Sequence, residues 1–402
     1  MAEIAQTPVV RRASAKDAAR TRAPVAKPAR TLMPLADIPP SQWRALSERA
    51  TEPNGYYLPE WELAVHASAR GRVGASALCA WNDAADLTGL MPVISMWRAY
   101  RVPLPVLVSA DPYGSLCTPL LDRGHPEDAA ATLLDNARQA GAHALILRDM
   151  SLDGAALTAL TEVLRRDGIT PRVLQSHVRA ALDATLDADE LLREALGPKK
   201  LKELRRQRNR LAEAGAVHFD IARTPADVTA AIETFLILEA SGWKAKRGTA
   251  LVQHAGDAAF IRRATPALAS SGQCEIVTLR AGETPVAAAI VLRHLDRAFY
   301  FKLGVDERFS KFSPGVQLTL DLTRHLCADP SIALVDSTAN ADHPMINPIW
   351  RGRLAIGDVL FPLRRGDVVA TLAQSALTLR KLAREPARHA IRFIRKRQEK
   401  SS

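Results

Sequence analysis

The sequence predicts an α/β protein made of two similar units, each a mixed sheet flanked by helices. Two observations lead there. From Leu32 to Leu363, segments with helical apolar spacing alternate with short apolar runs of strand length. The same order of elements also occurs twice. Composition agrees: 402 residues, 47% hydrophobic and 24% charged, suit a folded chain of two ordinary domains. A disordered chain, a collagen-like fibre and a membrane bundle are excluded. The longest apolar candidate, Val102 to Ala110, falls far short of the roughly 20 residues needed to span a bilayer.

In the first half, Pro40 to Ala50 and Pro59 to Ser68 read as helices, the first with Trp43 and Leu46 on one face. Ala75 to Trp81 and Leu87 to Met96 read as strands joined through Asn82-Asp83. Glu127 to Ala140 places Leu133, Leu134 and Ala137 in helical register, and His143 to Arg148 is a buried strand. Gly154 to Arg166 is a helix stopped by Gly168, and Arg172 to Ala181 is a strand.

Asp187 to Ala214 reads as one long helix ended by Gly215. Leu201, Leu204 and Leu211 form its apolar stripe, and seven cations between Lys199 and Arg210 face one acid, Glu203. It links the two units. Val217 to Ala222 is then a strand, and Pro225 to Ser241 a helix with Thr224 as its N-cap. A helix over Asp257 to Ser270 precedes strands Glu275 to Arg280, Pro285 to His294 and Arg297 to Gly304. Pro314 to Cys327 is a helix, Ala333 to Ser337 a strand, His343 to Trp350 a short helix and Asp358 to Leu363 a last strand. Strands 75–81 and 87–96, helix 127–140 and strand 143–148 thus match strands 275–280 and 285–294, helix 314–327 and strand 333–337. The expected divisions are a basic tail 1–30, a first domain 31–185, a basic linking helix 186–215, a second domain 216–368 and a basic amphipathic tail 369–402.

The net charge of +11 resides in the ends. Residues 1–30 carry +5 and residues 379–402 carry +7, which leaves residues 31–378 at about −1. A neutral body argues against a nucleic-acid binder, although a tRNA contact stays open for the basic helix. Residues 1–30 hold too few large apolar side chains to offset their ordering entropy and read as disordered. Leu372, Leu379, Leu382, Ile391, Phe393 and Ile394 lie among nine cations, a pattern suited to weak peripheral contact with an anionic membrane. The start of the sequence lacks the apolar core of a secretion signal, so the expected location is cytoplasmic, including the inner face of the membrane. Cys79, Cys117, Cys274 and Cys327 have no metal-ligand spacing and read as reduced thiols, and no metal is expected.

Chemistry concentrates in Leu303-Gly304-Val305-Asp306-Glu307-Arg308-Phe309-Ser310-Lys311-Phe312-Ser313-Pro314-Gly315-Val316-Gln317-Leu318. A strand ends, a polar loop follows, and a helix begins at Pro314-Gly315. A helix start supplies free amides and the positive end of the dipole, which suits a diphosphate. Arg308 and Lys311 add charge, and Gly315 lets a ligand approach the backbone.

This spacing resembles the acetyl-CoA loop of the GNAT superfamily of N-acetyltransferases. Val305 falls on the strand valine, Phe309 on the common aromatic, Gly315 on the last glycine and Leu318 on the first helix leucine. Ser310 and Ser313 stand where that loop carries Arg/Gln and its first glycine. Around it, Glu239-Ala240-Ser241-Gly242-Trp243-Lys244, Gly248-Thr249-Ala250-Leu251, Lys302, Ser313-Pro314-Gly315, Asp336-Ser337 and Asp342-His343-Pro344-Met345-Ile346 with Trp350 resemble the CelD-like acetyltransferases of cellulose and exopolysaccharide loci. The likeness is strong over about 190–365 and only outlined over 40–180. These proteins are similar in turn to FemAB-type aminoacyltransferases with two GNAT-like domains.

The resemblance implies two tandem GNAT-like domains and acetyl-CoA as co-substrate. It implies acyl transfer to an amine, or a hydroxyl, of a small-molecule or saccharide acceptor. An aminoacyl-tRNA donor and a non-catalytic scaffold are the alternatives. Val305, Arg308, Lys311, Ser313, Gly315 and Val316 would hold CoA. Asp306, Asp336 and His343 are the candidate catalytic residues, with Glu307 an alternative to Asp306 as the base, and Trp243, Lys244 and Lys302 would line the acceptor side.

Overall fold

The computed structural model describes residues 31–70, 74–241, 248 and 250–398. Residues 1–30, Trp243 and Lys244 lie outside the described residues.

In the first half, β1 (Met33–Pro34), β2 (Ser76–Trp81), β3 (Leu87–Ser95), β4 (Val106–Ser109), β5 (Leu120–Leu121), β6 (Ala144–Ser151) and β7 (Arg172–Asp183) form in chain order. The second half contributes β8 (Val217–Ala222), β9 (Cys274–Ala281), β10 (Thr284–His294), β11 (Arg297–Val305), β12 (Leu334–Asp336) and β13 (Gly352–Pro362). All belong to one sheet, ordered β1-β2-β3-β4-β6-β13-β7-β12-β11-β10-β9-β8, with β5 beside β3.

The internal repeat is visible in the pairing. β2, β3 and β4 are successively antiparallel, and β4 meets β6 in parallel across the helix Pro126–Gln139. β9, β10 and β11 repeat this, and β11 meets β12 in parallel across the helix Pro314–Cys327. Each crossover helix begins with proline, whose missing N–H is harmless there.

Several expectations change. β13 starts at Gly352, well before Asp358, and runs antiparallel between β6 and β7 of the first half. The sheet is therefore continuous across the expected division at 186–215. β4 and the short helix Met96–Tyr100 are additional elements. The linking helix, Ala188–Ala212, is kinked at Gly197, whose φ of 71° and ψ of 166° only glycine adopts readily, directly before Pro198. Residues 343–350 form turns instead of a helix. No helix among the described residues is long and apolar enough to cross a membrane.

The halves are joined by an aromatic core. Tyr56 and Trp61 pack with Phe235, Phe260 and Phe299 of the second half. Trp61 meets Phe260 edge-on at 4.8 Å and Phe301 at 4.9 Å between centroids, arrangements favoured by ring quadrupoles. His294, at the end of β10, seals the same seam. Its Nδ1 accepts the Asn54 N–H at 2.8 Å, so Nε2 carries the proton donated to the Ser47 carbonyl at 2.9 Å.

Burial pushes the His294 pKa down to about 4 from 6.5. The folded protein holds this ring neutral, while the unfolded chain protonates it below pH 6.5. Its contribution is complete above pH 6.5 and falls by about 3 kcal/mol as pH drops to 4. Burial raises the Glu62 pKa, which works in the opposite direction, so the comparison must be differential. His294→Gln can accept and donate the same two bonds without titrating. Between pH 6.5 and 4, the wild-type Tm should fall more steeply than that of His294→Gln; parallel curves would contradict the assignment.

Candidate active site

The site exists because two neighbouring strands part. β11 and β12 pair only through Arg297, Ala298 and Phe299 against Leu334, Val335 and Asp336. The register of β11 against β10 shifts between Tyr300 and Lys302, leaving Phe301 as a bulge that bends the strand. Trp61 holds the Phe301 ring from below. Gly304 lets the helix Pro225–Ser241 come close: a Cβ there would lie 2.8 Å from the Glu239 nitrogen.

On the other side, a relay of polar groups turns the chain away after β12. Arg179 of β7, fully buried, pairs with Asp336 and donates to the Ser115 carbonyl at 2.5 Å. The second Asp336 oxygen accepts the Thr338 N–H at 2.8 Å, and Thr338 Oγ1 donates to the Tyr300 carbonyl at 2.7 Å. A side chain thus occupies the point where the strand ladder would have continued.

The gap is a cavity of about 550 Å³. Phe301, Leu303, Val305, Val316, Met345 and Ile346 give it apolar walls, and Ser310, Ser313, Thr338 and Asn340 give it polar edges. Pro314, Gly315 and Val316 bring the start of the crossover helix to its rim. Gln317 N–H is the first of these amides bonded to a carbonyl four residues back, that of Ser313 at 3.0 Å. The Gly315 and Val316 amides precede the intrahelical ladder and can serve an anion. Ser313 has φ of 53° and Thr338 φ of 50°, left-handed conformations that cost non-glycine residues about 1–2 kcal/mol each. Such strain gathers at functional sites. Ser313 therefore occupies the backbone state glycine would supply in the loop it resembles.

The expected residues divide accordingly. Val305, Ser313, Gly315, Val316, Lys302 and His343 line the cavity. Arg308, Lys311, Asp306 and Asp336 do not. Asp306 is buried as the N-cap of the short helix Glu307–Phe312: it accepts the Arg308 N–H at 3.0 Å and pairs with that guanidinium at 2.7 Å. Arg308 holds the Asp306 carboxyl below its ordinary range, which makes it a poor proton acceptor and also occupies Arg308. Lys311 lies over the Phe312 ring at 4.8 Å. Asp336 is committed to Arg179. Gly315 is buried, and a Cβ there would stand 3.0 Å from Leu303 Cδ2 and 3.2 Å from Val305 Cγ1, so a bulky replacement would disturb the cavity wall.

Two residues join the site that the sequence reading gave no role. Glu239, whose side chain is wholly buried, accepts from Lys302 Nζ at 3.1 Å and from the Leu251 N–H at 2.9 Å. It thereby fixes the only lysine lining the cavity among the described residues. Arg179 sets the fork between the strands. The sequence signal for Glu239 was its place at the head of the Glu-Ala-Ser-Gly-Trp-Lys segment; for Arg179, its place directly before the apolar run Ala180-Ala181-Leu182 of β7. The cysteines are unpaired, and burial raises the thiols of Cys79 and Cys117 to about 12 and that of Cys327 to about 11, so none is primed as a nucleophile. Among the described residues, no three His, Cys, Asp or Glu side chains are grouped to hold a metal ion.

Comparison with known proteins agrees with this geometry. Residues 198–343 match the model of the acetyltransferase (GNAT) domain, from the kink of the linking helix to the cavity-lining histidine. Residues 198–343 are thus similar to a GNAT acetyltransferase domain, within an α/β protein that has one large mixed sheet. Among solved structures, FemX is similar with a TM-score of 0.53 and 12% identity, over 80% of this chain and 96% of that one. The C-terminal DUF2156 domain of a protein described as a lysylphosphatidylglycerol synthetase, from Agrobacterium fabrum, gives 0.51 and 14% over 85% and 96%. A conserved protein of unknown function from Bacteroides thetaiotaomicron gives 0.51 and 9% over 81% and 98%. At these identities the likeness is one of fold. No curated protein matches the chain.

The fork makes a sharp prediction. Asp336→Asn would leave Arg179 buried without its counter-charge, at a cost of about 3–5 kcal/mol. Denaturant unfolding should show that loss; a variant as stable as wild type would mean that the ion pair does not hold the strands apart.

Proposed function

We propose that the protein is an acyl-CoA-dependent acyltransferase, moving acetyl or a similar acyl group from CoA to an amine, with the cavity between β11 and β12 as its donor site. The observation that carries this reading is the coincidence of three features in one cavity. A helix start with uncommitted amides suits a diphosphate. Apolar walls beside a strand that has lost its neighbour suit the extended arm of CoA. A histidine lies among the lining residues. With Arg308 and Lys311 directed elsewhere, diphosphate binding falls to backbone amides and the helix dipole.

The chemistry needs no covalent enzyme intermediate. The amine nitrogen attacks the thioester carbonyl, the C–N bond forms, the C–S bond breaks, and the thiolate leaves to be protonated. The protein's work is positioning and proton removal. His343 is the proposed acceptor of the amine proton, because Asp306 and Asp336 are both tied up in ion pairs. Lys302, held by Glu239, positions the acyl end. The sequence likeness to CelD-like acetyltransferases supports an amino-sugar or related acceptor in polysaccharide or envelope metabolism. The use of a CoA ester supports a cytoplasmic location.

A second reading, an aminoacyl-tRNA donor, is favoured by one observation: the linking helix, which carries seven cations between Lys199 and Arg210, packs against residues 307–312 beside the cavity. Calorimetry separates the two. The first reading expects acetyl-CoA to bind the wild type. Ser310→Glu, at an exposed position on the rim, should weaken that binding by about tenfold, or ~1.4 kcal/mol, without lowering Tm. His343→Ala should retain CoA affinity and lose most turnover, since a positioned base contributes about 10²–10⁴-fold. No CoA binding, together with transfer that depends on charged tRNA, would establish the second reading.

A further inference from the structure

We propose that the C-terminal helix, Val368–Gln398, is an interfacial anchor that seats the protein on an anionic lipid surface. Its first turns have two distinct faces. Ala370 and Ala373 are fully buried, and Val369 and Leu377 pack with them against the core of the first half. On the opposite side Val368, Leu372, Leu379 and Leu382 are 69%, 51%, 67% and 58% exposed. At helical spacing these four fall within one narrow arc. The helix is therefore already docked, and a second apolar stripe is left facing solvent.

What should cover that stripe follows from its charge. Residues 379–402 contain nine Lys/Arg and two acids, a net +7. A second copy of the chain would bring the same charge and be repelled. A nucleic acid would engage the cations but leave the leucines in water. An anionic bilayer satisfies both, with leucines entering the acyl boundary and cations meeting headgroups. Arg380 stacks on Tyr100 at 5.7 Å and donates to its carbonyl at 2.6 Å, which fastens the helix to the segment Met96–Tyr100. That segment exposes Trp97, 51% accessible, with Arg101 over its ring at 5.8 Å. An exposed tryptophan beside arginines suits the headgroup layer. The helix cannot span a bilayer, so it lies on the surface.

The inference does not depend on the acyltransferase reading. It is tested by floating the full chain with phosphatidylcholine vesicles, with and without phosphatidylglycerol, at low salt. Wild type should float only with the anionic vesicles. The doubly substituted Leu379→Glu, Leu382→Glu variant, altered only on the solvent face, should keep the wild-type Tm and bind them at least about tenfold more weakly. Absence of flotation, or equal flotation of both proteins, overturns the proposal. Binding of a tRNA-sized RNA by both proteins alike, without flotation, would assign the helix to nucleic acid instead.

Discussion

The structure depends on one failure of pairing. β11 and β12 stay together for three residues and then separate, and the cavity is the space between them. Parallel strands do not part without cause, because each unmade backbone bond costs free energy when buried. Two devices stabilise the separation. The bulge at Phe301 bends one strand, and the chain from Arg179 through Asp336 and Thr338 to the Tyr300 carbonyl holds the other aside. The first device is braced by Trp61 and the second by β7, both from the first half. The first half thus shapes the site without lining the cavity.

The two halves share one sheet. β13 crosses back between β6 and β7, while β7 pairs with β12, so each half completes the sheet of the other. His294 and the aromatic cluster seal the joint. Displacing either half would shift the residues that keep the strands apart.

Much of this was legible in the sequence. Strand and helix ends at Pro59–Ser68, Val217–Ala222, Pro225–Ser241 and Pro314–Cys327 follow from prolines, caps and apolar spacing, all local signals. Val305, Ser313, Gly315 and Val316, which line the cavity, lie close together in the chain, so a motif could locate them. What stayed hidden depends on distant partners. Nothing near Asp306 says that Arg308 will fold back on it, since the same residues would suit a solvated loop. Nothing near Asp336 names Arg179, 157 residues earlier. Four-residue β4 is too short for a periodic signal, and the placement of β13 is a question of topology that no local pattern encodes.

The central claim is that the parted strands receive the donor. Hydrogen exchange of the folded chain with and without saturating acetyl-CoA tests it most directly. Protection should concentrate in the backbone of Leu303 to Val305 and of Gly315 to Gln317, where strand edge and helix start face the cavity. Unchanged exchange there, or protection centred on the groove between the linking helix and Pro314–Cys327 around Arg193, Arg205 and Arg324, would contradict it.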